Sequence, residues 1–236
     1  EVVGVVVVVG VGDIELEEVG FMSEFGEYET LNTSQDVTGV FLSAPGNEIK
    51  YHNSDLSPVD DTDEVGGSLF RVNLMNGNIV TGFKIISETV DMDQENIIFE
   101  GRIFAQDIGY GIYLEANSGT LTNPASEGPS WAKREEEIYC QNDCYGIFVS
   151  FSAASEISKI LNCSAPLVSE NGNAIGVYFS VYEIAFTGGE AAVYEEIEAS
   201  QKAAGVSINL LGGVDGTSMS DMTVTISVEN DDVTRG

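Results

Sequence analysis

A glycine followed by a short apolar strand recurs along the chain, and this repeat constrains the fold more than any other feature. Each phrase continues with β-branched and aromatic residues, which suit a pleated, half-buried surface. The phrases begin at Gly39, Gly82, Gly111, Gly146, Gly176 and Gly205, in steps of 43, 29, 35, 30 and 29 residues. A step near 30 residues predicts a solenoid, because one rung cannot bury its apolar face alone and must stack on its neighbours.

Two of these phrases carry a family resemblance. Residues 109–114 (GYGIYL) and 144–149 (CYGIFV) resemble rungs of right-handed parallel β-helix proteins, which include pectate-lyase-like and carbohydrate-binding repeat proteins. The resemblance extends over about residues 35–215. It implies a cleft beside the strands with acids and a basic residue, and the nearest such set is Asp91, Asp93, Arg102 and Asp107.

An antiparallel β-sandwich or jelly roll is the alternative all-β fold. Short strands bounded by Gly, Asn, Asp and Ser also build a sandwich, and the Asn-Gly-Asn triplets at 76–78 and 171–173 favour hairpins. Three segments have helix-forming residues, at 132–138, 153–161 and 191–204. In either fold we expect residues 21–236 to form a single all-β domain.

The N-terminal segment, residues 1–20, contains a run that is apolar on both faces. A strand exposed on one side alternates in polarity, so this run predicts a strand covered by protein on both faces. Its members are Val2, Val3, Val5, Val6, Val7, Val8, Val9 and Val11. We expect this strand to pair within its own domain or to be donated to a neighbouring subunit, because an uncovered strand of this kind aggregates.

The charge balance is strongly acidic, with 39 Asp and Glu against 9 Lys and Arg, for a net charge of −30. Such a surface repels nucleic acid and polyuronate sugars and attracts divalent cations. Ca²⁺ takes several oxygen ligands and is the expected cofactor. The predicted ligands form two clusters, Asp60, Asp61, Asp63 and Glu64 in the first and Asp91, Asp93 and Glu95 in the second.

Two further features bear on chemistry and location. The three cysteines, Cys140, Cys144 and Cys163, allow at most one intramolecular disulfide, and the sequence leaves the pairing open. His52 is the only histidine, so a nucleophilic triad has a single candidate base and no enzyme activity is expected. No apolar run reaches the roughly 18 residues of a membrane span.

These features predict an extracellular structural protein. We expect a subunit of a surface filament, layer or adhesive fibre that assembles with copies of itself by strand pairing. The first alternative is a β-helical module that binds or cleaves carbohydrate, and an exposed aromatic or acidic groove would favour it. The second alternative is a viral or phage fibre or capsid component, which shares the assembly prediction.

Overall fold

The protein is built from parallel β-strands. A computed structural model describes residues 2–8, 12–17, 29–52, 68–93, 97–122, 131–182, 184–187, 190–193, 197–211, 218–220 and 223–226. Every strand pair in these ranges is parallel. Within the same ranges, no helix is long and apolar enough to cross a membrane.

Each circuit of the chain, here called a rung, passes through four segments. The first segment contains β3 (Glu29–Asn32), β10 (Ile138–Cys140), β14 (Leu167–Ser169) and β18 (Ile197–Ala199). The second contains β1 (Val2–Val8), β11 (Cys144–Phe151), β15 (Asn173–Val181) and β19 (Lys202–Leu210). The third contains β2 (Ile14–Glu17), β12 (Ser155–Ile157), β16 (Ile184–Thr187) and β20 (Ser218–Ser220).

Three long strands join these segments without a break. β4 (Val37–His52) passes from the second segment to the third, and β6 (Val72–Asp93) and β8 (Ile103–Thr122) run through all three. The fourth segment forms a separate six-stranded sheet of β5 (Ser68–Phe70), β7 (Ile97–Phe99), β9 (Trp131–Arg134), β13 (Ile160–Ser164), β17 (Glu190–Val193) and β21 (Thr223–Ile226). The other fifteen strands form one continuous sheet.

The register between rungs follows the glycine repeat. Val37 pairs with Val80, Val80 with Gly109, Gly109 with Cys144 and Cys144 with Ala174, which reproduces the steps of 43, 29, 35 and 30 residues. The solenoid prediction is therefore confirmed, and the fold is a parallel β-helix. The antiparallel sandwich is not the fold that this chain adopts.

The glycines stack in one column because the backbones of successive rungs approach closely there. A Cβ added at Gly39 would lie 2.5 Å from the carbonyl oxygen of Gly82, and one at Gly146 would lie 2.5 Å from that of Gly176. The same contact recurs at Gly82 and Gly111, and side chains of the fourth segment crowd these positions from the other side. Real Cβ atoms essentially never come within 3.0 Å of such neighbours, so only glycine fits.

Two apolar columns fill the interior next to the column of glycines. The residue after each stacked glycine points inward, in the series Val40, Phe83, Ile112, Ile147 and Val177, and each is at most 1% exposed. A second inward column follows two residues later, with Leu42, Ile85, Leu114, Val149 and Phe179. The residues between the two columns are partly exposed on the outer face.

The hairpin and helix predictions are wrong. Asn76, with φ of 64°, bends β6 while the strand stays in the sheet, and residues 171–173 link β14 to β15, which pair with equivalent strands of other rungs. The segments 132–138, 153–161 and 191–204 contain β-strands. Helix preferences differ by less than about 1 kcal/mol per ordinary residue, and stacking between two rungs outweighs them.

We predict that Gly111→Ala lowers the free energy of unfolding by about 2–3 kcal/mol, because the new methyl group meets the carbonyl oxygen of Gly146. Urea denaturation of the purified variant measures the change. Ser150→Thr is the matched control, since it adds one methyl group at a partly exposed position of the next rung. Equal stabilities of the two variants would contradict the role of the column.

Two lysines are buried inside the coil, Lys133 and Lys159, and Lys133 lies near the end of β9. Lys133 is 0% exposed, and its ammonium donates hydrogen bonds to the backbone carbonyls of Arg134, at 2.9 Å, and Glu136. The Phe99 ring centroid is 5.7 Å from the same nitrogen. Burial lowers the pKa of Lys133 to about 7, against smaller opposing contributions from Cys163 and nearby glutamates. The side chain therefore caps the bend after β9 while remaining close to its titration point at neutral pH.

We predict that the wild-type protein gains stability relative to Lys133→Met as the pH rises from 7 to 9.5. The folded-state pKa lies below the unfolded value of 10.5, so in this interval the unfolded state binds the extra proton. The gain is about 3 kcal/mol, measured by urea denaturation at several pH values. Lys202→Met is the control, because Lys202 is exposed. A pH-independent difference between wild type and Lys133→Met would overturn this interpretation.

Candidate functional site

Five aromatic side chains lie together on the outer face of the second segment. They are partly exposed and are here called the aromatic patch, which consists of Tyr110, Tyr113, Tyr145, Phe148 and Tyr178. Tyr113, Phe148 and Tyr178 occupy one register position in three successive rungs, and Tyr110 and Tyr145 occupy another in two. The patch is therefore a direct product of the way the rungs stack.

The rings form two stacks that meet edge to face. Tyr113 and Phe148 have centroids 5.0 Å apart with planes at 7°, and Phe148 and Tyr178 are 5.1 Å apart at 26°. Tyr110 and Tyr145 stack at 5.2 Å and 11°, and Tyr145 meets Phe148 at 5.4 Å and 82°. Offset stacking and edge-to-face contacts are the favoured aromatic geometries, so the patch is a rigid, ordered surface.

A lysine extends the patch toward the N-terminal rungs. The Lys84 ammonium lies 5.1 Å from the Phe41 ring centroid and 5.9 Å from that of Tyr113. Lys84 takes the register position between these two residues, so a cation replaces a ring in the same column. Attraction between the ammonium and the negative ring faces holds the side chain along the surface.

The hydroxyls of Tyr110, Tyr113 and Tyr145 resist ionisation, because the pKa of each is raised. Burial, and then Asp143, Asp107 and Glu115, raise the pKa of Tyr110 to about 12. Burial also raises the pKa of Tyr113, whose hydroxyl donates a hydrogen bond to Glu115 Oε2, and the pKa of Tyr145. These hydroxyls remain neutral hydrogen-bonding groups at every physiological pH.

A polar ladder borders the patch where the second segment turns into the third. Asn117 Nδ2 donates to Glu88 Oε1 at 3.1 Å, and Ser152 Oγ donates to Asn117 Oδ1 at 2.8 Å. Beyond it lies an open groove of about 520 Å³, whose wall includes the carboxylates of Glu48, Asp91 and Glu156. The aromatic patch and the acidic groove thus share two rungs, those of β8 and β11, and in each the groove lies farther along the chain.

The resemblance to pectate-lyase-like proteins implied a cleft lined by Asp91, Asp93, Arg102 and Asp107, and the structure places Asp91, Arg102 and Asp107 apart. Asp91 lines the groove, whereas Arg102 forms ion pairs with Glu136 at 3.1 Å and Glu137 at 3.4 Å. Asp107 accepts a hydrogen bond of 2.7 Å from Asn142 at the bend before the second segment. For His52 and Asp93 the backbone alone is described, and the two are paired in register.

Most of the predicted calcium ligands fall outside the described residues, namely Asp60, Asp61, Asp63, Glu64 and Glu95. Among the described residues, no group of three or more His, Cys, Asp or Glu side chains is placed to hold a metal ion. Calcium binding therefore stays a prediction.

Cys140 and Cys144 are joined by a disulfide, and Cys163 is a buried thiol outside that bridge. The disulfide spans the bend from β10 to β11, where the Cα atoms are 5.7 Å apart. A Cβ at Gly109, in the preceding rung, would lie 2.7 Å from Cys140 Sγ. The bridge therefore occupies interior space that small neighbouring residues leave open.

The N-terminal valines form the first described strand of the coil. Residues Val2–Val8 form β1, which pairs in parallel with β4 of the same chain, from Val2 with Val37 to Val8 with Ser43. Val9 and Val11 lie outside the described residues. Gly4 thereby falls in the glycine column, next to Gly39.

The aromatic patch could have been found in the sequence. The second residue after each repeat glycine is Phe41, Lys84, Tyr113, Phe148, Tyr178 and Ser207. Aligning the phrases by their glycines would have shown an aromatic column with one lysine. No single phrase reveals the column, because it is defined by a fixed offset from the glycine across several phrases.

Comparison with known proteins finds no relative, since the chain matches no family model, no curated protein and no solved structure. The chemistry of the site itself therefore carries the functional interpretation.

We predict that Tyr110, Tyr113 and Tyr145 ionise only at strongly alkaline pH. Because the folded-state pKa of Tyr110 lies above the ordinary value of 10.0, its stabilising contribution is full below pH 10 and is lost as the pH rises through 12. Absorbance at 295 nm and thermal denaturation follow the two effects. In Tyr110→Phe one late-titrating group should disappear. Ionisation of all nine tyrosines near pH 10 in the folded protein would contradict the prediction.

Proposed function

We propose that this protein binds glycan chains on the aromatic patch and the adjoining acidic groove. The observation that carries the proposal is the ordered array of five partly exposed rings beside an open groove of about 520 Å³. Contiguous exposed aromatic surface on a soluble domain marks a binding site. A patch built on stacked strands is held in position before any ligand arrives, which lowers the entropy loss on binding.

Sugar rings suit such a surface through two kinds of group, their C–H groups and their hydroxyls. Their C–H groups carry partial positive charge and meet the negative faces of aromatic rings, which offset stacking leaves partly uncovered. Their hydroxyls donate to carboxylates, and Glu115, which accepts the hydrogen bond of Tyr113, lies at the patch. The patch covers three rungs, or about 10 Å at the usual strand spacing, which favours a chain over a single sugar.

The acidic side chains determine which class of glycan can bind. Glu48, Asp91 and Glu156 line the groove, and the whole chain carries a net charge of −30. Uronate and sulfated sugars would be repelled, whereas neutral sugars are accepted and amino sugars gain charge-assisted hydrogen bonds. The proposed ligand is therefore a chain of neutral sugars or amino sugars.

The disulfide supports an extracellular setting for this activity. Disulfides form and persist in oxidising compartments and are rare in the cytosol. The bridge between Cys140 and Cys144 is buried inside the coil, so it belongs to the folded core. We propose that the protein is secreted or displayed at a cell surface, where glycans are abundant.

A panel of neutral, amino-sugar and uronate oligosaccharides, followed by calorimetry, tests the proposal. We expect binding to the first two classes, and about a tenfold loss of affinity in Tyr145→Ala, which removes a ring that contacts three others. Tyr139→Ala is the matched control, because Tyr139 stacks on Phe104 in the first segment, outside the patch.

Three outcomes would overturn the proposal: no binding to any oligosaccharide, a preference for uronates, or equal affinity losses in Tyr145→Ala and Tyr139→Ala. Near-ultraviolet circular dichroism of each variant shows that the remaining rings keep their packing, so a loss of binding can be assigned to the missing ring.

A further inference from the structure

The interior of the coil is open at its C-terminal end. Val206 and Ile208 of β19 continue the two inward columns but are only partly buried, and Leu210 is 39% exposed. One rung earlier, the equivalent residues Val177, Phe179 and Val181 are at most 1% exposed. The columns are therefore apolar as far as β19, and no described residue forms a further layer on top of it.

The chain after β19 does not supply that layer in its described part. β20 pairs with β16 and β21 pairs with β17, so both strands complete the same rung as β19. Leu211, which follows β19, donates its backbone N–H back to Val181 and has a side chain that is 53% exposed. A partner that covers the end must therefore bring a strand of its own.

The opposite end of the molecule offers such a strand. Among the described strands, β1 pairs only with β4, so its other edge lies at the N-terminal end of the sheet. Gly4, Val5 and Val7 take the register positions of Gly39, Val40 and Leu42. These are the same columns that end at Gly205, Val206 and Ile208.

We propose that copies of this protein stack head to tail, with β1 of one molecule adding in parallel to β19 of the next. In this register Gly4 lies against Gly205, Val5 against Val206 and Val7 against Ile208. Glycine suits position 205 in this contact, because a Cβ at Gly39, Gly82, Gly111 or Gly146 would strike the carbonyl oxygen of the next rung. The contact continues the coil across the joint and buries the open apolar columns.

The two edges differ, so the contact is heterologous and does not close on itself. Repetition of such a contact yields an open filament. Each molecule carries a net charge of −30, so repulsion opposes the contact at low ionic strength and salt relieves it. Filaments should therefore form in about 1 M NaCl, where the Debye length is about 3 Å, and shorten or dissociate in low salt.

Sedimentation velocity and negative-stain electron microscopy at both salt concentrations measure assembly of the full chain. Ile208→Lys places a charge in an inward column at the joint and should abolish filaments. Asn209→Lys is the matched control, because it adds the same charge one residue away at an exposed position. Filaments in the control and monomers in Ile208→Lys are the expected result.

A cysteine pair tests the register independently of any folding defect. Strands in this register bring Cα atoms within the 4.4–6.8 Å of a disulfide. Val7→Cys with Ile208→Cys should give a ladder of covalent oligomers on oxidation, and Val7→Cys with Asn209→Cys should not. Monomers in every salt concentration, or equal cross-linking of both pairs, would overturn the proposal. Neither result bears on glycan binding, since the aromatic patch lies on interior rungs.

Discussion

The close approach of successive backbones along the glycine column is the constraint on which the rest of this structure depends. From Gly39 to Gly146, a side chain at each column position would strike the carbonyl of the next rung. The glycines therefore fix the register, even though the rungs differ in length from 29 to 43 residues.

Once the register is fixed, each position after the glycine has one environment along the whole coil. The next residue points inward and is apolar, and the one after it points outward and is aromatic in four of six phrases. The same constraint thus produces both the core and the proposed binding surface. It also explains why the aromatic rings are stacked rather than scattered.

The acidic residues serve the same architecture at the bends. Asp36 Oδ1 accepts the backbone N–H of Ile79 at 3.1 Å, and Asp143 Oδ1 accepts that of Asn173 at 2.9 Å, each from the next rung. Glu100, at 2% exposed, is paired with Arg71 at 2.6 Å. Carboxylates can accept two or more hydrogen bonds. Acidic side chains at the bends therefore accept hydrogen bonds from backbone N–H groups that have no partner in the strand ladders. Part of the high acidity is therefore structural.

The sequence alone determined that the chain is all-β, and its local, periodic repeat of glycine and inward apolar residues favoured stacked rungs, with an antiparallel sandwich as the alternative. It also contained the aromatic column, since a fixed offset from each glycine defines it. Only the tertiary structure decided that the segments 132–138, 153–161 and 191–204 contain β-strands, that Lys133 is buried and that Cys140 bonds Cys144. These outcomes depend on which rung lies above and below, and that register is a property of the whole coil rather than of any one segment.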